Sequence, residues 1–286
     1  MTKPIYRLSS IMRPLEPQYP TNRAVLILLP LIGLGLGGAA VFLHDAGLAD
    51  AASTGLSGLL AAFLVWALGR EVDPDRNEAA FIAMALTVIA IALGWAPALW
   101  VLTLALMATR VVVRTVGQAA KLTDLAIVTV LAGLAVFVDG YWAMGVVAGF
   151  AMAVDLLHDR KRTLNLVFAA FATGFSMFAV VQRGGDWGAL IVQPLGTIDP
   201  GWSLAALILT VLSFVFILTC PPVTSVCDAN SEPLERRRVR DGAIIVVLFA
   251  TAAMFEGQAG LLATLPIWAV LAGLIGGRAW PKRKPA

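Results

Sequence analysis

The chain has 286 residues, of which 59% are apolar and only 14% charged, and its mean hydropathy is +0.84. A soluble domain of this size would lack the polar residues to coat its surface, so composition excludes one and points to the bilayer as the natural solvent. The net charge of +3 is too small to suggest nucleic acid, and the two cysteines, Cys220 and Cys227, make neither a disulfide framework nor a zinc pattern.

In chain order, Lys3, Arg7, Arg13 and Arg23 precede a first apolar run at residues 24–43. That run outlasts the about 7–15 residues of a signal-peptide core, so it reads as a first transmembrane helix and not as a cleaved leader. Further apolar runs follow at 53–68, 79–93, 98–113, 122–138 and 141–157, then at 164–181, 202–220, 242–255 and 259–277. Several are short for a hydrocarbon core about 30 Å thick, so flanking residues must complete those spans.

The connections set the orientation. Those after odd-numbered runs are mostly tight and nearly uncharged, as at residues 94–97 and at Asp139-Gly140. Those after even-numbered runs are basic: Arg70 and Arg76; Arg110, Arg114 and Lys121; Arg160, Lys161 and Arg162; then Arg236, Arg237, Arg238 and Arg240. With the N-terminus in the cytoplasm, every Lys and Arg except Arg183 falls on the cytoplasmic side, as the positive-inside rule requires. The expected fold is therefore all-α, a polytopic membrane bundle of about ten transmembrane helices with both termini cytoplasmic, in a bacterial inner membrane. It divides into a cytoplasmic N-terminal segment (residues 1–23), one transmembrane domain of five hairpins (24–277) and a basic tail (278–286).

The middles of the runs carry no Asp, Glu, His or Arg, which argues against an ion-driven carrier. Polar chemistry gathers instead in the cytoplasmic loops. Residues 69–78 hold Glu71, Asp73, Asp75 and Glu78 beside Arg70 and Arg76. Hard oxygen ligands in such a cluster suit magnesium held against a diphosphate, with arginines on the phosphate oxygens. After the sixth run, Asp155 and Asp159 are four apart and share a helical face, ahead of Arg160, Lys161 and Arg162. Between these loops, Arg110 and Arg114 face the same way and could hold an anionic head group.

Two acidic loops flanking a basic one resemble the UbiA-type intramembrane prenyltransferase superfamily. Arg70-Glu71-Val72-Asp73 is similar to the end of that family's first Asp-rich motif, and Asp155-x-x-x-Asp159 followed by Lys161 to its second. The Asn-Asp start of the first motif is absent, with Trp66 and Gly69 standing where acidic residues would fall. The resemblance implies a divergent prenyltransferase-like enzyme acting on a lipid (di)phosphate at the cytoplasmic face. Asp73, Asp75, Asp155 and Asp159 would then hold magnesium, and Arg70, Arg114 and Lys161 would bind the prenyl or lipid diphosphate. That reading requires the two acidic loops to converge over one apolar cavity. Two alternatives stay open: a transporter or flippase of a neutral or lipidic substrate, and a non-catalytic scaffold. The scaffold would present small-residue faces such as Gly33, Gly35, Gly37 and Gly38, or Gly145 and Gly149.

Overall fold

The structure is a computed structural model that describes residues 5–160 and 163–279. Regular structure among the described residues is helical, apart from one antiparallel bridge between Val226 and Pro233. The first helices are α1 (Ile5–Leu8), α2 (Pro20–His44), α3 (Leu48–Val72), α4 (Asn77–Ala92) and α5 (Leu99–Val113). Next come α6 (Leu122–Phe137), α7 (Ala143–His158), α8 (Leu164–Gln182), α9 (Trp187–Gly196) and α10 (Pro200–Leu218). The chain closes with α11 (Arg236–Ala252), a 3-10 turn (Ala253–Glu256), α12 (Gly257–Ala263) and α13 (Leu265–Ala279).

Each apolar run has become helix. Five stretches are long and apolar enough to cross a membrane: α2, α3, α8, α10 and the run Arg236–Ala263. The molecule is thus a helical bundle of the membrane type. Helices α4 to α7 and α13 have only 15 or 16 residues, about 22–24 Å at 1.5 Å per residue. For α5, position explains the shortness. Most of α5 is buried, from Val101 to Val113, between α3, α6, α7 and α11. The longer α2 and α10 lie at the edge, with only 17% of their apolar stretches covered by protein. They present Leu31, Leu34, Phe42, Leu207 and Val211 outward, as a lipid-facing surface would.

Small residues set the closest helix crossings. A Cβ at Gly55 of α3 would stand 2.6 Å from the Gly33 carbonyl oxygen of α2, so only glycine permits that approach. Gly145 and Gly149 of α7 likewise meet the backbone of α8 at Ala172 and Ala169. The faces expected to serve partners are therefore largely spent within the chain, with Gly35 and Gly38 left open.

Two local departures matter for the site. Helix α3 continues past Leu68 through Arg70 and Glu71, because nothing breaks it until Pro74, which disfavours helical backbone at Asp73. The connection expected to be a plain external loop holds α9, and α10 then starts on an Asp199 cap and Pro200.

Candidate functional site

The basic residues converge at one end of the bundle, where hydrogen bonds tie the N-terminal strap, the α3–α4 and α5–α6 connections, the end of α7 and the segment after α10. Most of its carboxylates already have protein partners there. Asp155, fully buried near the end of α7, accepts from Arg114 Nε at 2.9 Å and Nη2 at 3.0 Å. It also takes Arg238 Nη1 at 2.8 Å and Asn165 Nδ2 at 2.9 Å. Asp159 shares the face, as its spacing implies, and its Oδ2 lies 3.5 Å from Arg114 Nη1. Arg114, expected on a phosphate, is thus engaged by both acids, and Arg238, read from sequence only as one of the basic residues that set the orientation, is the second counter-ion.

Asp73 sits 3.2 Å from Arg278 Nε, yet burial outweighs that arginine and raises its pKa. Asp75 does not cap α4. Its carboxylate accepts from the amides of Thr224 and Ser225, both at 2.8 Å, and from Ser225 Oγ at 2.6 Å. Partial burial pushes the Asp75 pKa up, but those hydrogen bonds prevail and hold it below the usual carboxylate range. The structure therefore brings Asp155 and Asp159 together on Arg114 but commits Asp73 to α13 and Asp75 to the segment after α10. Among the described residues, no three of His, Cys, Asp or Glu gather as metal ligands would. With arginines and amides on their oxygens, the four carboxylates do not fit a resident magnesium ion. Lys161 lies outside the described residues.

A second network, unforeseen from sequence, ties down the N-terminal strap. Glu71 is fully buried, and its Oε1 accepts from Arg110 Nε at 3.0 Å and Arg13 Nη1 at 3.2 Å. Arg13 also forks onto Asp228, with Nε at 2.6 Å and Nη2 at 3.0 Å. Burial alone would lower the Arg13 pKa, but Glu71 and Asp228 overcome it and raise it. Arg110 Nη1 reaches the carbonyl of Ile11 at 3.0 Å. Buried Asp124 takes Ser9 Oγ at 2.5 Å, and the amide and hydroxyl of Ser10 at 2.8 and 2.6 Å. The readable signal was the Ser9-Ser10…Arg13 pattern ahead of the first span, which marks a strap only once Asp124 and Glu71 are known to lie beneath it.

Between strap and bundle opens a cavity of about 480 Å³. One wall is the strap, with Arg13, Leu15 and Tyr19, and another is the segment from Thr224 to Leu234. The third is a single face of α3: Phe63, Trp66, Ala67 and Arg70, spaced as i, i+3, i+4 and i+7. Arg110 and Thr115 close it from the side of α5. Arg70 is half-buried, and with the described residues it makes neither a hydrogen bond nor an ion pair, although Glu71, Asp228 and Asp73 lie within electrostatic reach. A cavity of this size, apolar along one wall and carrying a few convergent cationic donors, has the build of a small-molecule site. Guanidinium forks suit phosphate oxygens, and the Phe63–Trp66 wall suits a hydrocarbon chain. No family model, curated protein or solved structure matches this chain.

Proposed function

We propose that this chain is a polytopic inner-membrane protein of about ten spans, with both termini cytoplasmic, that binds the phosphate of a lipid (di)phosphate in the arginine-lined cavity. The observation that carries the reading is Arg70, a half-buried guanidinium on the cavity wall with no bonded partner among the described residues. Desolvating a cation without a partner is costly, and an anionic ligand would relieve that cost. Arg13 and Arg110 stand beside it, already oriented by Glu71. The charge distribution supports the orientation, since Arg183 pairs with Glu256 at the end of the bundle away from the basic cluster.

Prenyl transfer, which the family resemblance implies, would require Asp73, Asp75, Asp155 and Asp159 to leave their present partners for magnesium. Head-group binding needs no such rearrangement and is the reading this geometry supports best. Native mass spectrometry of the protein in detergent would compare polyprenyl phosphate and phosphatidic acid with uncharged diacylglycerol. The phosphorylated lipids are expected to bind preferentially. Arg70→Gln should weaken them by about tenfold to a hundredfold, the worth of a charge-assisted hydrogen bond. Equal binding of diacylglycerol, or an Arg70→Gln protein that binds as the wild type does, would refute the assignment.

A further inference from the structure

Arg13 divides its guanidinium between two carboxylates at the cavity wall. Nη1 donates to Glu71 Oε1 at 3.2 Å, while Nε and Nη2 fork onto the two oxygens of Asp228 at 2.6 and 3.0 Å. The two partners differ in permanence. The Glu71 side chain is fully enclosed, whereas those of Arg13 and Asp228 are 25% and 28% exposed and both residues line the cavity. An ion pair this open is weak and replaceable. Turning the Asp228 side chain away would leave its backbone in place, since its amide is held by the carbonyl of Thr115 at 3.0 Å. A carboxylate forked on a guanidinium edge is also the arrangement in which phosphate oxygens meet arginine. The cavity therefore holds one cation with a replaceable partner, Arg13, and one with no bonded partner among the described residues, Arg70, within electrostatic reach of each other. Arg110 is committed elsewhere, to Glu71 and the carbonyl of Ile11.

Resting on the head-group reading above, we infer that Asp228 is an internal stand-in for the phosphate on Arg13, and that the cavity takes a lipid with a terminal, doubly charged phosphate and not a phosphodiester. A terminal phosphate has three free oxygens and carries a charge of about −1.5 to −2 at pH 7. Two of its oxygens replace the Asp228 carboxylate on Arg13, and the third meets Arg70. A phosphodiester has two free oxygens and a single charge. It can serve Arg70 with Asp228 left in place, or exchange one charge for another on Arg13, but not both.

Native mass spectrometry of the full chain in detergent would compare diacyl phosphatidic acid with diacyl phosphatidylmethanol, which differs by one methyl ester, and with soluble glycerol phosphate. Wild type should prefer phosphatidic acid over the methyl ester by about tenfold, the worth of one further charge-assisted hydrogen bond. Asp228→Asn removes the competing charge and should tighten phosphatidic acid by about fivefold. In an Arg13→Gln background that gain should disappear. Equal wild-type binding of the two diacyl lipids overturns the inference, and that comparison stands even if Arg13→Gln does not fold. Unchanged or weaker binding by Asp228→Asn also overturns it, because the carboxylate would then only brace the strap. A gain that persists without Arg13 overturns it too, since it would come from the general field of the removed charge and not from a vacated seat. In each of these three outcomes, a surviving loss in Arg70→Gln leaves head-group binding intact, whereas absence of any Arg70 effect removes both readings. Glycerol phosphate binding as tightly as phosphatidic acid likewise overturns both, the ligand then being a soluble phosphate.

Discussion

A buried carboxylate between two guanidiniums behaves differently from an exposed one, and the pair Asp155 and Asp159 separates the two cases within one turn of α7. Asp155 is fully buried and neutralises both Arg114 and Arg238, whose side chains are only 15% and 9% exposed. Removing its charge leaves two buried cations with only the more exposed Asp159 and Glu235 as counter-ions, at a cost of about 3 kcal/mol. Asp159 is a third exposed and makes one 3.5 Å contact with Arg114, so its neutralisation should cost at most about 1 kcal/mol. Thermal unfolding in detergent should accordingly show a large loss for Asp155→Asn and little change for Asp159→Asn. Similar losses in the two variants, appearing only when magnesium is present, would instead restore a shared metal site. The shared face was legible from the four-residue spacing. The partners were not, because Arg238 lies 83 residues away and nothing local ties it to α7.

At the scale of elements, each of the ten apolar runs proved helical, because a lipid-facing or core-facing helix must be apolar wherever it packs. It could not report the tertiary role of each run. The short α5 and the long α2 look alike in hydropathy, yet one is enclosed by protein and the other packs mainly on α3. Helix α9 escaped notice because its 10 residues are too few for a span, and the bridged turn from Val226 to Pro233 because neighbours fix its backbone. The α2–α3 crossing is where this matters for function, since the start of α2 and the end of α3 both line the cavity. Gly55→Ala must push the helices apart, with its new methyl 2.6 Å from the Gly33 oxygen, whereas Gly35→Ala meets nothing within 4 Å. We expect Gly55→Ala to lose about 1–3 kcal/mol of stability, as overpacking does, and to weaken lipid binding as well. Gly35→Ala should match wild type in both thermal unfolding and binding. A Gly55→Ala protein with unaltered stability would mean that α2 does not hold this position against α3.

For the whole molecule, basic residues collect at one end whatever the helix, and of the short helices α5 is the one most fully enclosed by protein. An enclosed helix need not match the thickness of a bilayer, whereas a peripheral one that crosses it must. That makes α10 the critical span. It is peripheral, 19 residues long, and joins the α9 region at the opposite end to the segment that carries Asp228 and Asn230 at the basic end. If α10 crosses the membrane, Gln182 and Glu232 lie on opposite sides, and if it lies flat, they share one. Both positions are exposed, and the native Cys220 and Cys227 are buried and should react slowly. In intact cells, a membrane-impermeant maleimide should label Gln182→Cys at once, and should reach Glu232→Cys only after the membrane is opened. Labelling of both from outside would reduce the span count and place the arginine cavity on the wrong face for a cytoplasmic ligand. The reverse order of labelling would invert the bundle and, with it, the leaflet from which a lipid phosphate could enter.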